Sequence, residues 1–109
     1  MNQENAIDAF SALAQPTRMA IYRLLVRKGP DGLIVGQIAD ALDIVPSTLS
    51  GHLAVLKRAG LLTARRNQRE IHYAANMQGM VDLVEFMLSD CCGGRVENCS
   101  EILTLLDRR

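Results

Sequence analysis

Pro46-Ser47-Thr48-Leu49-Ser50-Gly51-His52-Leu53-Ala54-Val55-Leu56-Lys57-Arg58-Ala59-Gly60-Leu61-Leu62 is the stretch on which the fold turns. Proline suits the first turn of a helix, where its missing N–H would have no partner anyway. Leu49, Leu53 and Leu56 then recur at three- and four-residue spacing and mark one inward stripe. The other face offers Ser47, Thr48, Ser50, His52, Lys57 and Arg58. Gly60 stops the pattern, so the spacing predicts a helix from 46 to about 59. Just upstream, Ile38, Ala39 and Leu42 give a short helix from about Val35 to Leu42, joined by the three-residue turn Asp43-Ile44-Val45. Just downstream, Leu61–Arg66 and Ile71–Ala74 read as two short strands around the polar, basic turn Asn67-Gln68-Arg69-Glu70.

Working outward, Ile7, Phe10, Leu13 and Ala14 give a first helix over about 4–14. Pro16 restarts the chain into a second helix, with Ile21, Leu24 and Leu25 as its stripe and Arg18, Arg23, Arg27 and Lys28 largely off it. Gly29-Pro30-Asp31-Gly32 is a strong stop. Beyond the strands, Met80, Val84, Met87 and Leu88, with Val81 and Leu83 beside them, predict a helix over about 77–90. Cys91-Cys92-Gly93-Gly94 breaks it, and Ile102, Leu103, Leu105 and Leu106 suggest a last short helix. With no repeat, low-complexity tract or linker, residues 1–109 read as a single domain carrying a cysteine-containing loop at 91–99.

The composition is that of a folded globular chain, 49% hydrophobic and 22% charged. No stretch reaches the roughly 20 apolar residues a transmembrane helix needs, and the N-terminus lacks the basic start and apolar core of a secretory signal. The expectation is a cytoplasmic protein with no membrane partner, in which three cysteines stay as thiols. A domain this small buries only about two-thirds of its unfolded surface, so a second copy would help to stabilise it. Twelve basic residues balance twelve acidic ones, but unevenly: residues 1–75 hold nine Lys/Arg against six Asp/Glu, and the remainder holds three against six. Lys57, Arg58, Arg65, Arg66 and Arg69 stand within thirteen residues, the local footprint expected of phosphate contacts.

Two short helices joined by a tight turn and followed by a basic two-stranded wing are the parts of a winged helix-turn-helix, mainly α with a small β-hairpin. An α-helix fits the major groove of double-stranded DNA, and the preceding helix braces it. Ser47, Thr48, Ser50 and His52 have the size and chemistry to approach base edges and phosphates. Arg65, Arg66, Asn67, Gln68 and Arg69 would let the wing straddle the neighbouring backbone or enter the minor groove.

At these residues the chain resembles the ArsR/SmtB bacterial repressors. Ala14-Gln15-Pro16-Thr17-Arg18-Met19-Ala20-Ile21 is similar to their second-helix signature, and Pro46–Leu62 to their recognition helix and entry to the wing. Pro46 departs from the polar residue many members have there, and is compatible with a helix start. The resemblance covers most of residues 5–90. It implies a homodimer paired through the first helix and the helix at 77–90, and it implies operator binding that is released when an ion or other signal binds.

Two of the family's sensing sites are missing here. The positions matching its paired cysteines before the recognition helix are Ile34 and Gly36, which ligate nothing. The helix at 77–90 has Asp82, Glu85 and Asp90 but no histidine, so the zinc-type site is absent too. What remains is Cys91, Cys92 and Cys99, all within nine residues of one Gly-containing loop. Soft thiolates select soft ions, and three sulfurs in a pyramid suit As(III) or Sb(III). The arrangement also resembles an arsenite-sensing sub-group of these repressors. Cadmium, lead or bismuth, a redox or persulfide switch, and a DNA-binding module with incidental cysteines are the other readings. A disulfide between adjacent Cys91 and Cys92 would be strained. Three sulfurs make a poor structural zinc site, since zinc prefers four protein ligands. There is no Cys-x-x-Cys motif, phosphate-binding loop or nucleophile–base pair, so the sequence does not read as an enzyme.

Overall fold

A computed structural model describes residues 1–89. The element order is α1 (Gln3–Leu13), α2 (Pro16–Lys28), α3 (Val35–Leu42), α4 (Pro46–Arg58), β1 (Leu62–Asn67), β2 (Glu70–Ala75) and α5 (Met77–Leu88). The expected helix at 102–106 and the cysteine loop at 91–99 lie outside the described residues.

Local chemistry sets most of these boundaries. Asn2 caps α1, its Oδ1 accepting the Asn5 N–H at 2.7 Å, and Gln15 caps α2 by accepting the Arg18 N–H at 2.7 Å. Pro16 and Pro46 each occupy the first turn of their helix. Arg27 and Lys28 stand in the last turn of α2, where cations complement the negative end of the helix dipole. At the start of α3, the Gln37 side chain reaches back to accept the Ile34 N–H at 3.1 Å. That helix closes on Asp43, which takes the left-handed conformation at φ 54, and the Asp43 and Ile44 N–H groups both return to the Ala39 carbonyl. The three-residue turn therefore stands where the sequence put it.

The core is the meeting of three helices. Leu49, Leu53 and Leu56 of α4 are fully buried against Ile21 and Leu25 of α2 and Ile38 of α3. Each such side chain stabilises the fold by about 1.5–3 kcal/mol relative to exposure. Helix α1 packs on α2, α4 and α5, and α2 also packs on β2. Its inward residues are Ala6, Ala9 and Ala12, while Ile7 and Phe10, half of the apolar pattern that predicts the helix, are 56% and 43% exposed. Alanine lets the helices come close, and the larger side chains are left on the far side.

β1 and β2 pair antiparallel, from Leu62 opposite Ala75 to Asn67 opposite Glu70. The turn is thus shorter than expected: Asn67 and Glu70 belong to the strands, leaving Gln68-Arg69, with Gln68 at φ 59. A third strand-like piece joins the hairpin. Leu33 exchanges two backbone hydrogen bonds with Tyr73, both 2.9 Å. Gly32, at φ 71, makes this possible, because a Cβ there would run into the Tyr73 carbonyl. At the other end of the wing, Asn76 ties α5 to the exit of α4. Its N–H donates to the Leu61 carbonyl at 2.8 Å and its Nδ2 to the Gly60 carbonyl at 2.9 Å, against which Gly79 packs without room for a Cβ.

Candidate nucleic-acid interface

Helix α4 has two unlike sides. Burying Leu49, Leu53 and Leu56 turns Ser47, Thr48, Ser50, Gly51, Ala54, Lys57 and Arg58 to solvent. The first two turns of this outward side are small, so the helix backbone can approach a groove closely, and the last turn carries the two cations. No acidic residue occurs anywhere in α4. Val45 provides no side-chain cap, which leaves the positive end of the helix dipole uncompensated at Ser47 and Thr48. An anion such as a DNA phosphate is favoured there. The Ser50 hydroxyl donates to the Pro46 carbonyl one turn back at 3.3 Å, so it faces an external partner as an acceptor.

The wing extends this polar surface. Arg65, Arg66, Asn67, Gln68 and Arg69 are all exposed, and the Arg66 Nε donates to the Gln68 carbonyl at 3.2 Å, which steadies the tip. Across the ladder Arg65 stands opposite His72, and Glu70, the acidic residue of the strands, lies 3.9 Å from the His72 Nε2. Since α4 packs directly against β1, helix and wing belong to one rigid surface. Every residue expected to meet DNA is exposed on it except His52, which is half-buried.

His52 is held from behind by a residue the sequence reading placed merely off the apolar stripe. Arg18 Nε donates to the Ala12 carbonyl at 2.6 Å and Nη2 to the Ser11 carbonyl at 3.5 Å, satisfying the open end of α1. Its Nη1 lies 3.5 Å from the His52 Nδ1. One guanidinium thereby joins α1, α2 and α4. The signal available in sequence was an arginine two residues after a helix-starting proline, too common to single out.

The opposite side of the molecule carries no such polarity. Ile7 and Phe10 on α1 and Met77, Val81, Val84 and Met87 on α5 are all exposed, and these two helices pack together. Among the described residues no three His, Cys, Asp or Glu side chains come together, and no helix is long and apolar enough to cross a membrane. Cys91, Cys92 and Cys99 lie outside the described residues.

A family model described as a helix-turn-helix domain matches residues 13–65. The transcriptional repressor SdpR of Bacillus subtilis is 34% identical over 82 residues, 75% of this chain and 88% of that protein. The arsenical resistance operon repressor of Escherichia coli is 39% identical over 67 residues, 62% of this chain and 56% of the relative. Among solved structures, a homodimeric winged helix-turn-helix DNA-binding domain from Mycobacterium bovis, described as a possible ArsR-family regulator, matches with a TM-score of 0.65 at 26% identity. It covers 77% of this chain and 76% of that one.

Proposed function

The chain belongs to the ArsR family of winged helix-turn-helix transcriptional regulators, and on that premise we propose that it is a homodimeric repressor of a metalloid-responsive operator. As a transcriptional regulator it is not an enzyme. In this reading α4 and the wing of each copy hold a two-fold symmetric site on double-stranded DNA, with half-sites about one helical turn, or a multiple of it, apart. The inducer is As(III) or Sb(III), taken by Cys91, Cys92 and Cys99.

The observation that carries the reading is the division of the surface. One side is small, polar and basic around the open end of α4; the other presents six large apolar side chains from α1 and α5. An exposed apolar face made by two packed helices marks a protein–protein contact, and burying it between two copies sets two recognition helices about one axis. The names of the Bacillus subtilis and Escherichia coli relatives favour repression, and the latter favours an arsenical signal. The donor set fits as well: three thiols and no nearby histidine suit a thiophilic ion of three-fold coordination. Weakening operator binding by about 10²- to 10³-fold needs about 3–4 kcal/mol of coupling between the two sites.

The test is fluorescence anisotropy of the reduced protein on labelled DNA from upstream of its own gene, titrated with arsenite. Release near one arsenite per chain is expected. Cys91→Ser, Cys92→Ser and Cys99→Ser are each expected to bind DNA nearly as tightly and to ignore arsenite. Tight binding that arsenite leaves unmoved would overturn the metalloid half of the proposal alone. Absence of binding to any upstream fragment would overturn both halves.

A further inference from the structure

The geometry points to Arg18 as a positioning residue that fixes His52 as the Nε2–H tautomer, so that the recognition helix presents a hydrogen-bond donor to the operator. The inference deepens the reading of α4 as the DNA-contacting helix and rests on it. A guanidinium has five donors and no lone pair to offer. Where its Nη1 meets the His52 Nδ1 at 3.5 Å, the imidazole nitrogen has to be the acceptor. The ring proton is then on Nε2, since the tautomer of a histidine is set by the bond its other nitrogen makes. Nε2 has no protein partner among the described residues and is not one of the enclosed unpartnered atoms, so it faces outward.

Arg18 is itself fixed on three counts. Its backbone N–H is bound by Gln15, its Nε by Ala12, and its stem is half-buried in the second helix. No carboxylate neutralises it; its partners are carbonyls and the imidazole. The guanidinium therefore has a fixed direction before DNA arrives, and so does the ring it touches. A donor at Nε2 matches the acceptors that DNA offers: phosphate oxygens, guanine N7 and O6, and thymine O4. The opposite tautomer would present a lone pair to the same acceptors and repel them.

Two measurements test this. A two-bond proton–nitrogen correlation on protein labelled with 15N-histidine reads the tautomer of His52 directly, with His72 as the internal reference. The wild type is expected to show a bare Nδ1 and a protonated Nε2, and Arg18→Gln a mixture, His72 staying unchanged. Operator affinity should fall about 3- to 10-fold in Arg18→Gln, the range of one hydrogen bond, with an unchanged salt slope. The same substitution should have no effect in a His52→Ala background. Arg18→Lys, which keeps one donor without the fork, should fall between. A wild-type spectrum with the proton on Nδ1, or equal losses in both backgrounds, overturns the proposal. If Arg18→Gln fails to fold, the wild-type spectrum and Arg18→Lys still decide it. Failure of the wild type to bind any upstream DNA overturns the operator reading instead, and the spectrum separates the two cases.

Discussion

Helices α4 and α5 are of similar length and both bury a leucine stripe, yet their outward sides have nothing in common. α4 turns serine, threonine, glycine, alanine, lysine and arginine to solvent; α5 turns Met77, Val81, Val84 and Met87. Both surfaces are unfinished in a lone chain, for opposite reasons. The first holds unneutralised cations and an open helix start, which water and salt satisfy until a polyanion replaces them. The second holds apolar area that water cannot satisfy. A single core thus supports two partner surfaces, one electrostatic and one hydrophobic, and they should respond differently to substitution, salt and concentration.

The largest expected effect is at the shared core. Leu53→Ala should lower the free energy of unfolding by about 2–5 kcal/mol, read from urea titrations, because it removes a fully buried side chain that the neighbours cannot replace. On our proposal Val84→Asp comes next. It should leave the helical circular dichroism near wild type and convert dimer to monomer in sedimentation equilibrium. Operator affinity should drop by roughly 100-fold, since the two heads lose their common frame. A dimer that survives an aspartate at this exposed position breaks the assignment of α5 as the hydrophobic surface.

Arg66→Ala and Arg69→Ala sharpen the other side of the comparison. Each should weaken binding to all DNA sequences alike and reduce the slope of log affinity against log salt by about 0.9, leaving the dimer intact. Ser50→Ala should have the smallest effect, less than about 3-fold, because its hydroxyl already donates to Pro46.

Tyr22 offers a control that belongs to neither surface. Its ring is buried, its hydroxyl has no partner, and burial raises its pKa above the usual 10.0. A phenol with a raised folded pKa contributes stability that is fully present below pH 10.0 and is lost as pH climbs through the folded value. Urea titrations of the wild type should therefore show a loss of stability starting near pH 10, and Tyr22→Phe should lack that component. At neutral pH the same variant should be as stable as wild type or up to about 1 kcal/mol more so, since it removes a buried unpaired group.

The helix-turn-helix was legible because its signals are local. Pro46, the leucine spacing and Gly60 bracket α4 to within a residue, and the tight turn at 43–45 follows from two helical stripes too close to allow anything longer. The hairpin was legible to within a residue or two, its turn closing on Gln68-Arg69 because strand pairing extends through Asn67 and Glu70. Three features depend on contacts between distant segments and left no periodic trace. The Leu33–Tyr73 pair joins positions forty residues apart through one bridge. Arg18 reaches His52 across three helices. The inward face of α1 is alanine, so the large residues that announced the helix are the ones that do not enter its own core. An apolar stripe tells that a helix will be covered, without telling whether the cover comes from the same chain. The sensor reading of Cys91, Cys92 and Cys99 rests on residue type and spacing alone.

The most direct test of the two-surface account is the binding isotherm of the reduced protein on a labelled duplex from upstream of its own gene, followed by anisotropy against a scrambled duplex. The account predicts saturation at two chains per duplex, a preference of at least about 10³ over the scrambled sequence, and an affinity that falls steeply with salt. Equal affinity for both duplexes, or saturation by independent single chains, would contradict it.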